Sequence, residues 1–225
     1  MAPTPVTVGL FILGMILVSA GGVWLMLRVD DSAADRQVAR GGAKVEAFRE
    51  SVRSAARDHG WQVEDAPARA LPTTLRARRA EPEGCDFAVT GNDPRAFRAD
   101  TWAMKHRNAG AAVGSSFVQH RLTMPLRTTL GRFAVTGDGN WRTMLATIPE
   151  DLVGHGRTVG GLTVYGDDTG LAGRLVALGE ELKAGELWVV VAGSELTVIR
   201  EGELDAAGLA GRIDLAARMA AALEA

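Results

Sequence analysis

The chain has 225 residues, 23% of them charged, with a net charge of −2 and a single cysteine, Cys85. So even a balance excludes the basic footprint of a nucleic-acid interface and the acidic run of a solvating tail. One cysteine excludes an internal disulfide. The basic residues are nearly all arginine, with lysine only at Lys44, Lys105 and Lys183. Together with the abundant alanine and glycine, this reads as a GC-rich coding bias and not as a binding surface.

The first element is Val6 to Leu27, VTVGLFILGMILVSAGGVWLML, which carries no charge and no proline. As a helix it is about 33 Å long, enough to cross a hydrocarbon core of roughly 30 Å. A cleaved signal peptide is the rival reading. Its positive leader is missing from Met1 to Thr7, and the apolar run continues through Val23 to Leu27 beyond the small residues Ser19 to Gly22. The expectation is a retained single-pass anchor over residues 1–27, with Trp24 at an interface. Arg28, Arg36, Arg40 and Lys44 follow it. The positive-inside rule therefore places the soluble region in the cytoplasm.

Residues 28–60 read as a polar linker and a membrane-proximal helix. Val38, Val45, Val52 and His59 recur at sevens, with Phe48 and Ala55 between them. Such a stripe suits either a short coiled coil over residues 38–55 or a helix lying on its own domain. Gly60 is placed to end the helix.

Residues 61–152 form the expected β-rich subdomain. Trp61 to Glu64 alternates as a short strand, and Asp65 to Glu83 is a proline-punctuated basic connection. Phe87 to Gly91, FAVTG, recurs at Phe133 to Gly137, and Leu162 to Gly166 is a looser third copy. Each is a β-favouring run that stops at glycine before Asn or Asp, the signature of a strand entering a turn. Arg98 to Arg107 and Ser115 to Leu126 read as two more strands about an Ala/Gly tip. In the second, Val118, His120, Leu122, Met124 and Leu126 are expected to face the core.

Residues 153–225 read as a strand–helix–hairpin–helix unit. The strand is Leu162 to Tyr165. A helix from about Thr169 to Lys183, capped by Asp167 or Asp168, carries Leu171, Leu175, Leu178 and Leu182. Glu186 to Ala192 and Glu195 to Arg200 suggest a hairpin about Gly193-Ser194. Ala206 to Leu223 is a last helix with Leu209, Ile213, Ala216, Met219 and Leu223 on one face. The fold class is therefore α+β, with helices packed on a sheet.

No pattern assigns a catalytic, cofactor or metal residue. Asp167-Asp168 is explained by helix capping, without the further carboxylates a hard cation wants. His59, His106, His120 and His155 make no metal-ligand pair in sequence, although His106 and His120 lie on adjacent expected strands. Cys85 lacks a context that would activate a thiolate. Gly154-His155-Gly156-Arg157 and Gly160-Gly161 match no phosphate-binding motif, and Ser115, Ser116 and Ser194 no nucleophile elbow. Trp102, Trp141 and Trp188 read as core.

The run Ala56 to Trp61, the pentapeptide Phe87 to Gly91 and the strand–helix start Val164 to Leu171, set behind one N-terminal span, resemble a group of uncharacterised single-pass membrane proteins of GC-rich bacteria. The resemblance implies the same layout and no particular activity. The function expected is a membrane-anchored interaction or scaffold protein, not an enzyme. Its partners would be the lipid bilayer and a second copy or another membrane protein, engaged through the span and residues 38–55, with no nucleic acid. The alternative is an extracytoplasmic accessory subunit of a larger membrane or envelope complex.

Overall fold

The computed structural model describes residues 46–67, 80–106, 116–137, 152, 156–166, 169–184, 186–202 and 206–225. The chain divides into two units, Met1–Glu50 and Ser51–Ala225. In the first, residues 46–50 are described and helical, with Arg49 Nη1 3.3 Å from Glu46 Oε2. The expected anchor over Val6 to Leu27 and the stripe positions Val38 and Val45 lie outside the described residues. Among the described residues, no helix is long and apolar enough to cross a membrane.

The second unit is a mixed α+β fold built on an antiparallel sheet. It opens with helical residues 51–59 (α1), where Val52 and Ala56, one turn apart, are buried. Gly60 takes φ +69°, and the Trp61 amide donates to the Ala56 carbonyl at 2.8 Å. That bond, reaching five residues back along the chain, is the closure a left-handed glycine permits at a helix end. His59, the last residue of the heptad stripe, is exposed and stacks on Trp61 at 4.6 Å.

Among the described residues seven strands follow: β1 (Gln62–Asp65), β2 (Ala80–Gly91), β3 (Phe97–His106), β4 (Ser116–Gly137), β5 (Arg157–Val159), β6 (Leu162–Gly166) and β7 (Trp188–Glu201). They form one sheet in the order β1-β2-β3-β4-β6-β5, with β7 paired to β4. Strands from either side of residue 152 are thus joined in the same sheet. The join is β4. Its first half pairs with β3 on one edge, and its second half pairs with β6 along Phe133 to Gly137. On the opposite edge β7 accompanies both halves.

That pairing corrects the expected hairpin about Gly193-Ser194. Trp188–Glu201 is one continuous strand whose halves both pair with β4. Gly193, at φ +64°, sits opposite Leu130 between two register shifts. Its positive φ bends the strand and does not reverse it, because each half already has a partner. The long helix expected over Thr169 to Lys183 is also broken. It becomes α2 (Thr169–Gly173), a 3₁₀ turn at Val176–Leu178 and α3 (Gly179–Ala184). Arg174, Leu175 and Leu178 donate to carbonyls three residues back. The tighter winding still buries Leu175 and Leu182.

The last helix, α4 (Ala206–Glu224), packs on β4 and β7. All five residues of its expected apolar face are buried, as are Val189, Val191, Leu196 and Val198 of β7. Each such aliphatic side chain contributes roughly 1.5–3 kcal/mol on leaving water. The helix end is fastened by Glu224, whose carboxylate accepts from Arg95 Nη1 at 3.0 Å, Arg95 Nη2 at 2.5 Å and the Arg127 amide at 2.5 Å. These bonds tie the β2–β3 turn and the middle of β4 to the end of α4.

The FAVTG copies end β2, β4 and β6 at Gly91, Gly137 and Gly166. At each, another group crosses where a side chain would stand. A Cβ would lie 2.5 Å from the Phe97 ring at Gly91, 2.9 Å from the Lys183 Cα at Gly137 and 2.6 Å from the Arg132 carbonyl oxygen at Gly166. The second and third copies pair with each other, Phe133 opposite Gly166 and Gly137 opposite Leu162. Gly166 combines backbone contact with φ +104°, whereas a Cβ at Gly193 would meet nothing within 4 Å. Gly166→Ala is expected to cost roughly 3 kcal/mol and Gly193→Ala about 1 kcal/mol in denaturant unfolding followed by tryptophan fluorescence. Equal costs would refute the assignment of backbone crowding to Gly166.

Candidate functional site

Three consecutive residues of β4, Gln119, His120 and Arg121, are polar and buried, at 0%, 4% and 2% exposure. Alternation sends them to both faces of the sheet: His120, Leu122, Met124 and Leu126 are buried as expected, and Gln119 and Arg121 are buried on the other face as well. Over residues 119–122 both faces of β4 are covered, whereas Pro125 and Arg127 to Thr129 of the same strand are exposed.

On one face, Arg121 lies opposite Asp100 of β3, and Gln119 lies between Trp102 of β3 and Glu201 of β7. Arg121 Nε donates to Gln119 Oε1 at 2.5 Å. Arg98 reaches Asp100 at 2.7 Å and Glu64 at 3.6 Å. Burial lowers the Arg121 guanidinium to about 10, against the opposing pull of Asp100 and Glu201. It remains a cation at neutral pH, held among carboxylates. This face is a charge-balanced network.

The other face is different. Thr101, His120 and Arg200 form one row across β3, β4 and β7. His120 Nε2 lies 3.0 Å from the Gly202 carbonyl, and Nδ1 lies 3.0 Å from Thr101 Oγ1. A carbonyl only accepts, so Nε2 carries the proton and donates, leaving Nδ1 to accept from the threonine hydroxyl. The ring is therefore neutral. Burial first, then the Arg212 charge, hold its pKa down at about 3. With both nitrogens engaged, His120 is a positioning group and not a free base or metal ligand.

Arg212, in the second turn of α4, which packs on β4 and β7, is 6% exposed. Burial, reinforced by the Arg200 charge, lowers it to about 9, still cationic near neutrality. Its Nε and Nη1, and Nε of Arg200, are buried without a hydrogen-bond partner among the described residues. The site is a concentration of positive charge with buried hydrogen-bond donors that have no partner among the described residues. Such a cluster can neutralise and orient an anion.

The residues singled out in the sequence do not assemble there. His106 pairs with Ala80 on β2, whereas His120 pairs with Thr101 and Arg200, so the two histidines are not cross-strand neighbours. His155, Asp167, Asp168, Trp141 and Ser115 lie outside the described residues. Cys85 is buried beside Trp102 and Met104, its thiol donating to the Phe87 carbonyl at 3.6 Å. Gly160 and Gly161, at φ +55° and +78°, form the two-residue turn between β5 and β6. Ser194 is exposed on β7, and Trp102 and Trp188 are core. Among the described residues, no three His, Cys, Asp or Glu side chains gather as a metal-holding group.

Arg200 and Arg212 were not singled out by sequence reasoning, yet each leaves a trace. Arg212 interrupts the apolar stripe Leu209–Ile213–Ala216, and Arg200 continues the alternation of Leu196 and Val198.

No protein family, no characterised protein and no solved structure matches this chain. The site therefore has to be read from its own chemistry.

The buried His120 links stability to pH. Its value is near 6.5 unfolded and about 3 folded, so the unfolded chain binds the proton first on acidification. The contribution is full above pH ~6.5 and is lost as pH falls towards 3, up to roughly 5 kcal/mol. His120→Gln is expected to lower stability at pH 7 and to flatten the slope of unfolding free energy between pH 6.5 and 4. An unchanged slope would remove His120 as the titrating group.

Proposed function

We propose that this protein is a non-enzymatic, membrane-anchored α+β protein that presents an interaction surface on the cytoplasmic side of the bilayer. The observation that carries the reading is the stretch Val6 to Leu27, about 22 uncharged residues, set before a separate folded unit that begins at Ser51. A span of that length gains enough from hydrocarbon burial to stay inserted. Arg28, Arg36, Arg40 and Lys44 on its C-terminal side favour retention of the folded unit in the cytoplasm. The span and residues 38–55 are the natural elements for association with a second copy or another membrane protein, and the resemblance to single-pass bacterial proteins supports the same layout.

Two measurements test it. The full chain is expected to remain in the membrane pellet after alkaline carbonate, and a chain starting at Arg28 to leave it. Recovery of a mature product in solution beginning past Gly22 would overturn the anchor.

Sidedness needs an exposed thiol, and Cys85 is 8% exposed. Asn92→Cys, in the exposed turn between β2 and β3, supplies one in a Cys85→Ala background. An impermeant maleimide should label it only after cell lysis. Labelling of intact cells would overturn the cytoplasmic placement and favour the extracytoplasmic accessory subunit.

A further inference from the structure

Two strands cross the middle of the second unit, and both are irregular at the same level. β4 pairs with β3 as far as Thr123 and with β6 from Phe133. Its ladder to β7 breaks between Pro125 and Leu130. Residues 126–129 therefore have no strand partner on either edge among the described strands, and Pro125 and Arg127 to Thr129 are exposed. Opposite them β7 bends at Gly193, with φ +64°, and Ser194 and Glu195 are exposed. A stretch of backbone without ladder bonds has few contacts to lose when it flexes.

The end of α4 holds this level in place. The Arg127 amide donates to Glu224 Oε1 at 2.5 Å, so a carboxylate stands where a neighbouring strand would. The same carboxylate accepts two bonds from Arg95, in the turn between β2 and β3, at 3.0 and 2.5 Å. One residue earlier, the Leu223 carbonyl accepts from Arg174 Nη1 at 2.8 Å. Arg174 follows α2, which packs on β5 and β6. The last turn of α4 is thus tied to the β3 side of the sheet, to the β6 side and to the break between them. An acid at that end of a helix opposes the dipole, and the last turn has no basic residue of its own. The Arg95–Glu224 pair, with side chains 19% and 12% exposed, is shielded and bidentate enough to outweigh that penalty.

We propose that residues 126–129 of β4 and Gly193 of β7 form a hinge between the β1–β2–β3 and β5–β6 sides of the sheet, and that Glu224 is the latch that holds it shut. With the Glu224 contacts made, the two sides move as one body. Without them, β4 and β7 flex at the break while the ladders on either side persist.

The test uses the full chain in detergent. Glu224→Gln keeps the shape of the side chain and removes its charge. Hydrogen exchange should rise roughly tenfold at residues 126–130 and 193–195 and stay unchanged at residues 98–104 and 116–122. Arg95→Gln, at the half-buried other end of the pair, should reproduce the pattern and carries the test if Glu224→Gln does not fold. Arg218→Gln, exposed on the same helix and paired with Glu181, should not reproduce it. Lys105→Cys and Thr158→Cys, both exposed, place spin labels on either side of the break in a Cys85→Ala background. Their distance distribution should broaden with Glu224→Gln.

No rise at residues 126–130, an equal rise across the sheet, or a rise matched by Arg218→Gln overturns the latch. A local rise with an unchanged spin-label distribution overturns the hinge. None of these readouts depends on the sidedness or retention of the anchor, so the inference stands or falls separately from the proposed function.

Discussion

Strand β4 is hydrogen-bonded along both edges, and the second unit depends on that double pairing. One strand of 22 residues meets β3 and β6 on one side and β7 on the other. Every ladder bond removes a backbone donor and acceptor from competition with water, so an interruption in β4 would expose two neighbours at once. Among the described strands β3 and β6 are linked through β4, and an interruption in it would leave β7 alone to bridge the two halves of the sheet. Bulges between Pro125, Leu130 and Phe133 let so long a strand bend while β7 bends with it at Gly193. Glu224 then ties the bend to the end of the last helix.

The same centrality creates the electrostatic asymmetry of the fold. Over residues 119–122 β4 is covered on both faces, and there it carries Gln119, His120 and Arg121 in succession. On one face the charge of Arg121 is met by Asp100 and Glu201. On the other, His120 stays neutral, and Arg212 is lowered by burial and by the Arg200 charge. Identical burial thus produces a balanced network on one side and a cationic site on the other. The difference lies in which residues the neighbouring strands and α4 bring into register.

The repeated FAVTG unit has a packing cause. Its β-branched and aromatic residues favour strand, but its terminal glycine is required by what crosses above it: an aromatic ring at Gly91, the α3 backbone at Gly137, the neighbouring strand at Gly166. Strand endings were therefore legible from composition, because the residue that stops the strand is also the residue that makes room. The pairing of the second copy with the third was not legible, since nothing in a short apolar run names its partner.

What the amino-acid order determined by itself is local. The apolar period of α4 depends only on residues three and four apart, and every expected position is buried. The left-handed glycine at residue 60 and the strand ends at 91, 137 and 166 follow from the conformational range of glycine beside β-forming runs. The uncharged stretch at 6–27 is equally local as a pattern. Tertiary structure decided everything that required a distant partner. Gly193 looked like a hairpin tip because glycine permits a reversal and a bend alike, and only the presence of β4 beside both halves selects the bend. Arg200 and Arg212 are twelve residues apart on a strand and a helix, and they approach only because α4 folds back over β7. Short-range sterics can be read along the chain, whereas burial and register come from the surfaces that other segments supply.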